Sequence, residues 1–168
     1  VYPSYTAEKY PPGAMVSDRR YPYGAPVTPV IIDQNAIIFT ISSTRPGQLA
    51  RVSASDASHR VHVASNTLYT KRPGTRGCGV SYNLDNYNQL HVQGCIAPRS
   101  APYVARIPIT NPSNYAEGVT NVALSHWGVT VKGRVHPGQM PSSTMLLNVH
   151  QSDTLPQILA EPLKPSNN

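Results

Sequence analysis

The sequence predicts an all-β protein, an antiparallel β-sandwich or small barrel with an extended N-terminal arm and a C-terminal tail. Three observations lead there. Short runs rich in Val, Ile, Thr and Tyr recur from Val30 onward. Pro-Gly pairs and Asn/Asp/Ser clusters punctuate them, as turns between strands require. No stretch promises a helix longer than two turns; the best candidate, Thr154 to Ala160, contains Pro156.

Residues 1–29 read as an arm. They hold five of the ten tyrosines and six of the seventeen prolines, with no period of 2 or 3.6. Proline fixes φ and removes a donor, so this stretch builds no core but carries aromatic surface. The residues expected to contact a neighbouring subunit are Tyr2, Tyr5, Tyr10, Arg19, Arg20, Tyr21, Tyr23, Val27 and Val30. The part from Val27 onward is best suited to pair as an exchanged strand.

Residues 30–150 read as a single β domain. Val30–Ile32 and Ala36–Ile41 flank Asp33-Gln34-Asn35, a tight turn or bulge. Further strands are expected over 48–54, 59–64, 67–71, 79–84, 89–93, 103–109, 119–124, 127–135 and 144–150. Pro46-Gly47, Pro73-Gly74 and Pro137-Gly138 suit type II turns, and Asn111–Asn114 reads as a loop. Trp127, inside a β-branched run, reads as a core anchor; the other reading places it with Tyr82, Tyr87, Tyr103 and Tyr115 on a binding platform. Residues 151–168, with Pro156, Pro162 and Pro165, read as a second extended segment.

Cys78 and Cys95 bracket a hairpin. In the symmetric register with a four-residue loop they lie opposite each other, within disulfide range. In that register, however, Val80, Tyr82 and Leu84 face one side while Leu90 and Val92 face the other. A shift of one residue unites the apolar sets and separates the cysteines. A bulge at Gly79 or Gly94 satisfies both demands. A disulfide and two buried thiols both remain open on this reading.

The charge and chemistry narrow the function. Charged residues make up 13% of the chain and the net charge is +6, with ten Arg and four Lys. The basic residues are scattered and the arm is nearly balanced, so nucleic acid is not expected as the main partner. No apolar run reaches membrane-spanning length, and no signal peptide is read. The six histidines stand at no ligand spacing, two cysteines make no zinc knuckle, and no Gly-x-Ser-x-Gly elbow or phosphate loop occurs. The expectation is therefore a non-enzyme without cofactor, metal or catalytic residues. Its partners would be itself or other structural subunits of one assembly. The layout of arm, low-charge β core and tail points to a virion subunit (capsid, minor capsid or cement protein) that ties a lattice through its arm. The alternative is a secreted pilus or filament subunit, or an adhesin, at the cell surface, assembled by strand exchange.

Overall fold

The alternation in Ala36–Ser42 (β1) sets the core: Ile37, Phe39 and Ile41 are buried, while Ile38 is exposed. β1 lies between Arg51–Ser55 (β2) and Tyr103–Pro108 (β6), antiparallel to both. A second three-stranded sheet contains His62–Thr70 (β3), Val80–Leu84 (β4) and Gln89–Ile96 (β5). Here β5 is central, parallel to β3 and antiparallel to β4. Two α-helices follow, Pro112–His126 (α1) and Leu155–Leu163 (α2). This computed structural model describes residues 9, 10, 12–98, 101–136, 138, 142, 143, 145, 148, 149 and 151–163.

One apolar cluster joins the two sheets: Ile37, Phe39 and Ile41 meet Leu68, Leu90 and Val92, with Tyr115 of α1 closing the cluster. The Phe39 ring lies 4.7 Å from Tyr82 and 6.4 Å from Tyr103, edge-on to both. Main-chain bonds join the sheets as well. Ala50 N–H donates to Leu68 O at 2.7 Å, Thr70 N–H to Gln48 O at 2.8 Å, and Gly47 N–H to Thr70 O at 2.7 Å. The chain entering β2 thus pairs with the end of β3 before joining its own sheet.

The all-β antiparallel expectation is overturned, because the fold mixes helices with two three-stranded sheets, one of them part-parallel. The expected strand 119–124 lies inside α1, and the described residues of 127–135 and 144–150 form no strand. α1 begins where the sequence reads as a loop. The Asn111 side chain accepts the Asn114 N–H at 3.1 Å, and Pro112 occupies the first turn, where a missing N–H costs nothing. The helix ends in a Schellman motif: Gly128 N–H donates to Ser125 O at 3.0 Å and Val129 N–H to Leu124 O at 2.9 Å, with Gly128 at φ 73°. Trp127 is the last residue before that turn and is 81% exposed, so it is not the core anchor. The tail also departs from expectation, since Leu155–Leu163 is helical despite Pro156, which sits in the first turn.

In the β4–β5 hairpin, Tyr82 pairs with Val92 and Leu84 with Leu90, so the apolar sets share a face. Gly94 takes φ 113°, a side chain there would strike the Gly79 carbonyl, and Cys95 N–H donates to Gly79 O at 3.0 Å. With the backbone turned this way, Cys78 and Cys95 form a disulfide in the shifted register.

Two stability predictions follow from this packing. Gly118 of α1 lies so close to Ser58 that an added Cβ would meet its carbonyl oxygen. Gly118→Ala is expected to destabilise the fold by about 1–3 kcal/mol, seen as a lower urea midpoint at unchanged slope. Reducing the disulfide, which closes a loop of sequence separation 17, is expected to cost about 3 kcal/mol in the same assay.

Candidate functional site

Three places concentrate polar chemistry. The first is the Asp33-Gln34-Asn35 turn, where three consecutive non-glycine residues adopt φ of 52°, 58° and 49°. Each such residue costs on the order of 1 kcal/mol or more, so the surroundings must hold the turn in place. The Asn35 side chain is buried. It donates to Pro26 O at 3.1 Å and Thr28 Oγ1 at 3.3 Å, and it accepts the Ile32 N–H at 3.4 Å. Ile109 N–H donates to Asn35 O at 2.7 Å. Arg106 donates to Gln34 Oε1 at 3.1 Å and to Asp33 O at 3.2 Å. The Tyr115 hydroxyl donates to Asp33 Oδ2 at 3.1 Å. Burial, and then this carboxylate, push the Tyr115 phenol up to about 12. Beside the turn lies a hollow of about 400 Å³, bordered by Asp33, Gln34, Arg106 and Tyr115, whose polar groups are bonded to one another.

The second place is the outward face of the β3–β5 sheet. His91 Nδ1 lies 3.0 Å from Ser65 Oγ, and its Nε2 lies 3.4 Å from Asp85 Oδ2. The parallel pairing sets Ser65 beside His91. Asp85 also accepts the Tyr87 and Gln89 N–H groups at 2.8 and 2.9 Å. Burial raises the Asp85 carboxyl, but the Gln89 and Tyr87 N–H groups and His91 outweigh it and hold the group below its ordinary 3.8. A serine, a histidine and a carboxylate in sequence are the parts of a nucleophile relay, but here Ser65 lies exposed on a strand face. The nearby buried Asn88 side chain accepts the Asn111 N–H at 2.8 Å and donates to Asn111 O at 2.9 Å, locking the hairpin turn to the start of α1.

The third place is the arm. Val16–Arg20 and Pro22–Gly24 form 3-10 turns rather than an extended strap. Arg19 stacks 4.0 Å over Tyr10, Arg20 lies 5.1 Å over Tyr21, and Tyr21 stacks on Tyr23 at 5.4 Å. With Tyr82, Ile107 and Pro108, the arm residues Tyr10, Val16, Arg19 and Arg20 border a cleft of about 300 Å³, so the arm lies beside β4 and β6 of its own chain while Arg19, Arg20, Tyr21 and Tyr23 stay exposed. Val27 N–H donates to Lys9 O at 3.0 Å, and the Val30 carbonyl accepts the Thr28 hydroxyl at 2.6 Å; neither residue is in a strand. Tyr2 and Tyr5 lie outside the described residues.

The sequence reading reached the arm residues and Cys78–Cys95. It missed Asp33, Tyr115, Arg106, Ser65, Asp85 and His91 as polar partners. Asp33-Gln34-Asn35 is visible as turn chemistry, and the loop between the two cysteine-flanked strands as a four-residue turn, but their partners come from elements read as other structures. Among the described residues, no three His, Cys, Asp or Glu side chains gather as a metal site, and no helix is long and apolar enough to cross a membrane.

Comparison with known proteins identifies relatives for this architecture. The profile of the D-Ala-D-Ala carboxypeptidase 3 (S13) family matches residues 4–168. D-alanyl-D-alanine carboxypeptidase DacB of Haemophilus influenzae is 23% identical over 147 residues, covering 87% of this chain and 30% of its own length. The crystal structure of penicillin binding protein 4 (dacB) from H. influenzae superposes with a TM-score of 0.84 at 22% identity, over 98% of this chain and 36% of that one. The same protein complexed with a novel β-lactam (CMV) gives a TM-score of 0.74 at 23% identity, over 86% and 33%. The chain thus spans about a third of the length of the relatives it matches. These matches overturn the expected virion or filament subunit, its partners and localisation, and its non-enzymatic character. The arm explains the difference: its two 3-10 turns fold back beside β6 of the same chain, with their Tyr and Arg side chains still exposed.

Two pH responses are expected. The depressed Asp85 carboxyl contributes stability above its ordinary value, lost as pH falls through the lowered folded value. Asp85→Ala is therefore expected to flatten the fall in urea midpoint between about pH 5 and pH 2. Tyr115, raised, contributes stability below 10.0 that is lost as pH rises towards about 12. Tyr115→Phe is expected to remove the phenolate absorbance step near that upper value and to cost about 1 kcal/mol at neutral pH.

Proposed function

The chain belongs to the D-Ala-D-Ala carboxypeptidase 3 (S13) family, and from that premise we propose that it is part of a penicillin-binding serine carboxypeptidase. The enzyme removes the terminal D-Ala from peptides ending in D-Ala-D-Ala, on peptidoglycan in the periplasm. The observation that carries this reading is the family match along residues 4–168.

Penicillin-binding enzymes use Ser-x-x-Lys for the nucleophile, together with an S-D-N motif and Lys-Thr-Gly. These 168 residues hold neither Ser-x-x-Lys nor Lys-Thr-Gly. They hold Ser-x-Asn twice, as Ser81-Tyr82-Asn83 and as Ser166-Asn167-Asn168, the second with Asn in place of the central Asp. The first lies inside β4, with its central ring packed on Phe39 in the core. The second follows α2 in the sequence. We assign the motif to Ser166 and Asn168. A hydroxyl donates and accepts, so it relays a proton; a carboxamide donates and accepts, so it binds a peptide group. The acyl-accepting serine and its lysine are supplied from outside these residues. The rest of the chain is the scaffold attached to that motif.

The test is acylation and turnover. Fluorescent penicillin is expected to leave the isolated 168-residue chain unlabelled; stoichiometric labelling would place the nucleophile inside it and overturn the assignment. In a polypeptide that joins the chain to the family's Ser-x-x-Lys and Lys-Thr-Gly motifs, Ser166→Ala is expected to lower D-Ala release by about 100-fold or more, and Ser81→Ala to leave it unchanged. The reverse pattern would transfer the motif to β4.

A further inference from the structure

We propose that the cleft between the arm and the free edge of β4 binds a short peptide through a carboxylate. The cleft is bordered by two guanidinium groups, Arg19 and Arg20, and among the described residues no Asp or Glu lines it. The ion pair found among the described residues is His91–Asp85, so neither arginine is salt-bridged to a described carboxylate. Asp18, their neighbour in sequence, lines an adjoining hollow that Arg19 also borders. Stacking on Tyr10 holds the Arg19 fork in place, so less ordering is required when it takes a carboxylate.

The walls select the remainder of the ligand. Among the described strands β4 pairs with β5 alone and is an edge strand, and Tyr82–Leu84 line the cleft. An extended peptide is the ligand that satisfies such an edge, by adding a strand. Val16, Ile107 and Pro108 make an apolar surface suited to small side chains. The volume of about 300 Å³ is at the lower end for ligand sites and admits one or two residues. A carboxylate fixed by Arg, main chain on the β4 edge and a small aliphatic side chain on the apolar wall together describe the C-terminal end of a short peptide. This is binding without turnover, so it stands whether or not the acyl-transfer reading holds.

The probe is diacetyl-Lys-D-Ala-D-Ala, whose only carboxylate is terminal, compared with its C-terminal amide. Titration into the 15N-labelled chain is expected to shift the amide signals of β4 and of residues 16–20. The amide form, and the Arg19→Ala/Arg20→Ala double variant, are each expected to bind at least tenfold more weakly. Arg20→Lys is expected to fall between, keeping the charge and losing the fork. Unchanged near-ultraviolet circular dichroism checks that the variants remain folded. Equal binding of acid and amide, undiminished binding by the double variant, or shifts confined to other surfaces would each overturn the proposal. Absence of any shift at a tenfold molar excess over millimolar protein would do the same.

Discussion

The seam between the two sheets governs the rest of the molecule. It consists of three main-chain bonds, linking Gly47, Gln48 and Ala50 to Leu68 and Thr70, and of the Phe39 ring set between Tyr82 and Tyr103. Backbone groups buried at such a junction must be paired, and each sheet alone has only three strands with which to cover a face. The two sheets share one apolar cluster, so each supplies the other's apolar cover. The left-handed turn at Asp33–Asn35, the hairpin turn at Asp85–Asn88 and the start of α1 are arranged around this junction. They are held by Asn35, Asn88 and Tyr115, buried side chains whose hydrogen bonds join Pro26 and Thr28, Asn111, and Asp33.

Local pattern was legible in the sequence where a strand's neighbours are close in the chain. β1 shows its alternation directly, and the conflict between cysteine and apolar registers in the β4–β5 hairpin pointed to glycine, where Gly94 takes its positive φ. The parallel pairing of β3 with β5 was not legible, because nothing in either strand specifies that β5 inserts between β3 and β4. α1 was misread for a different reason. Val119, Thr120 and Val122 favour strands by propensity, but Tyr115, Gly118 and Val119 fall at helical spacing on the face turned to the core. Its boundary signals, Asn111-Pro112 at one end and Gly128 at the other, were present and were assigned to a loop and to a strand.

The chemistry was illegible for a simpler cause. Penicillin-binding enzymes depend on a Ser-x-x-Lys nucleophile motif that these residues do not contain, and Ser-x-Asn alone is too short to stand out in the sequence. What remained visible was surface, and surface was read as assembly. Arginines without carboxylates and tyrosines among prolines are ambiguous until it is known what they touch. Here Arg19 stacks on Tyr10 and Arg20 on Tyr21, and Tyr10 and both arginines border one cleft of their own chain.

The disulfide and the hairpin turn act at opposite ends of β4. Cys78 tethers one end to Cys95, and Asp85 with Asn88 fixes the other through the Gln89 N–H and Asn111. An open strand edge is ordinarily a hazard, since it templates edge-to-edge growth between molecules. This edge is five residues long, pinned at both ends and overhung by the arm's two cations. A short edge strand flanked by positive charge is one of the ways proteins discourage edge-to-edge growth, and β4 has both features.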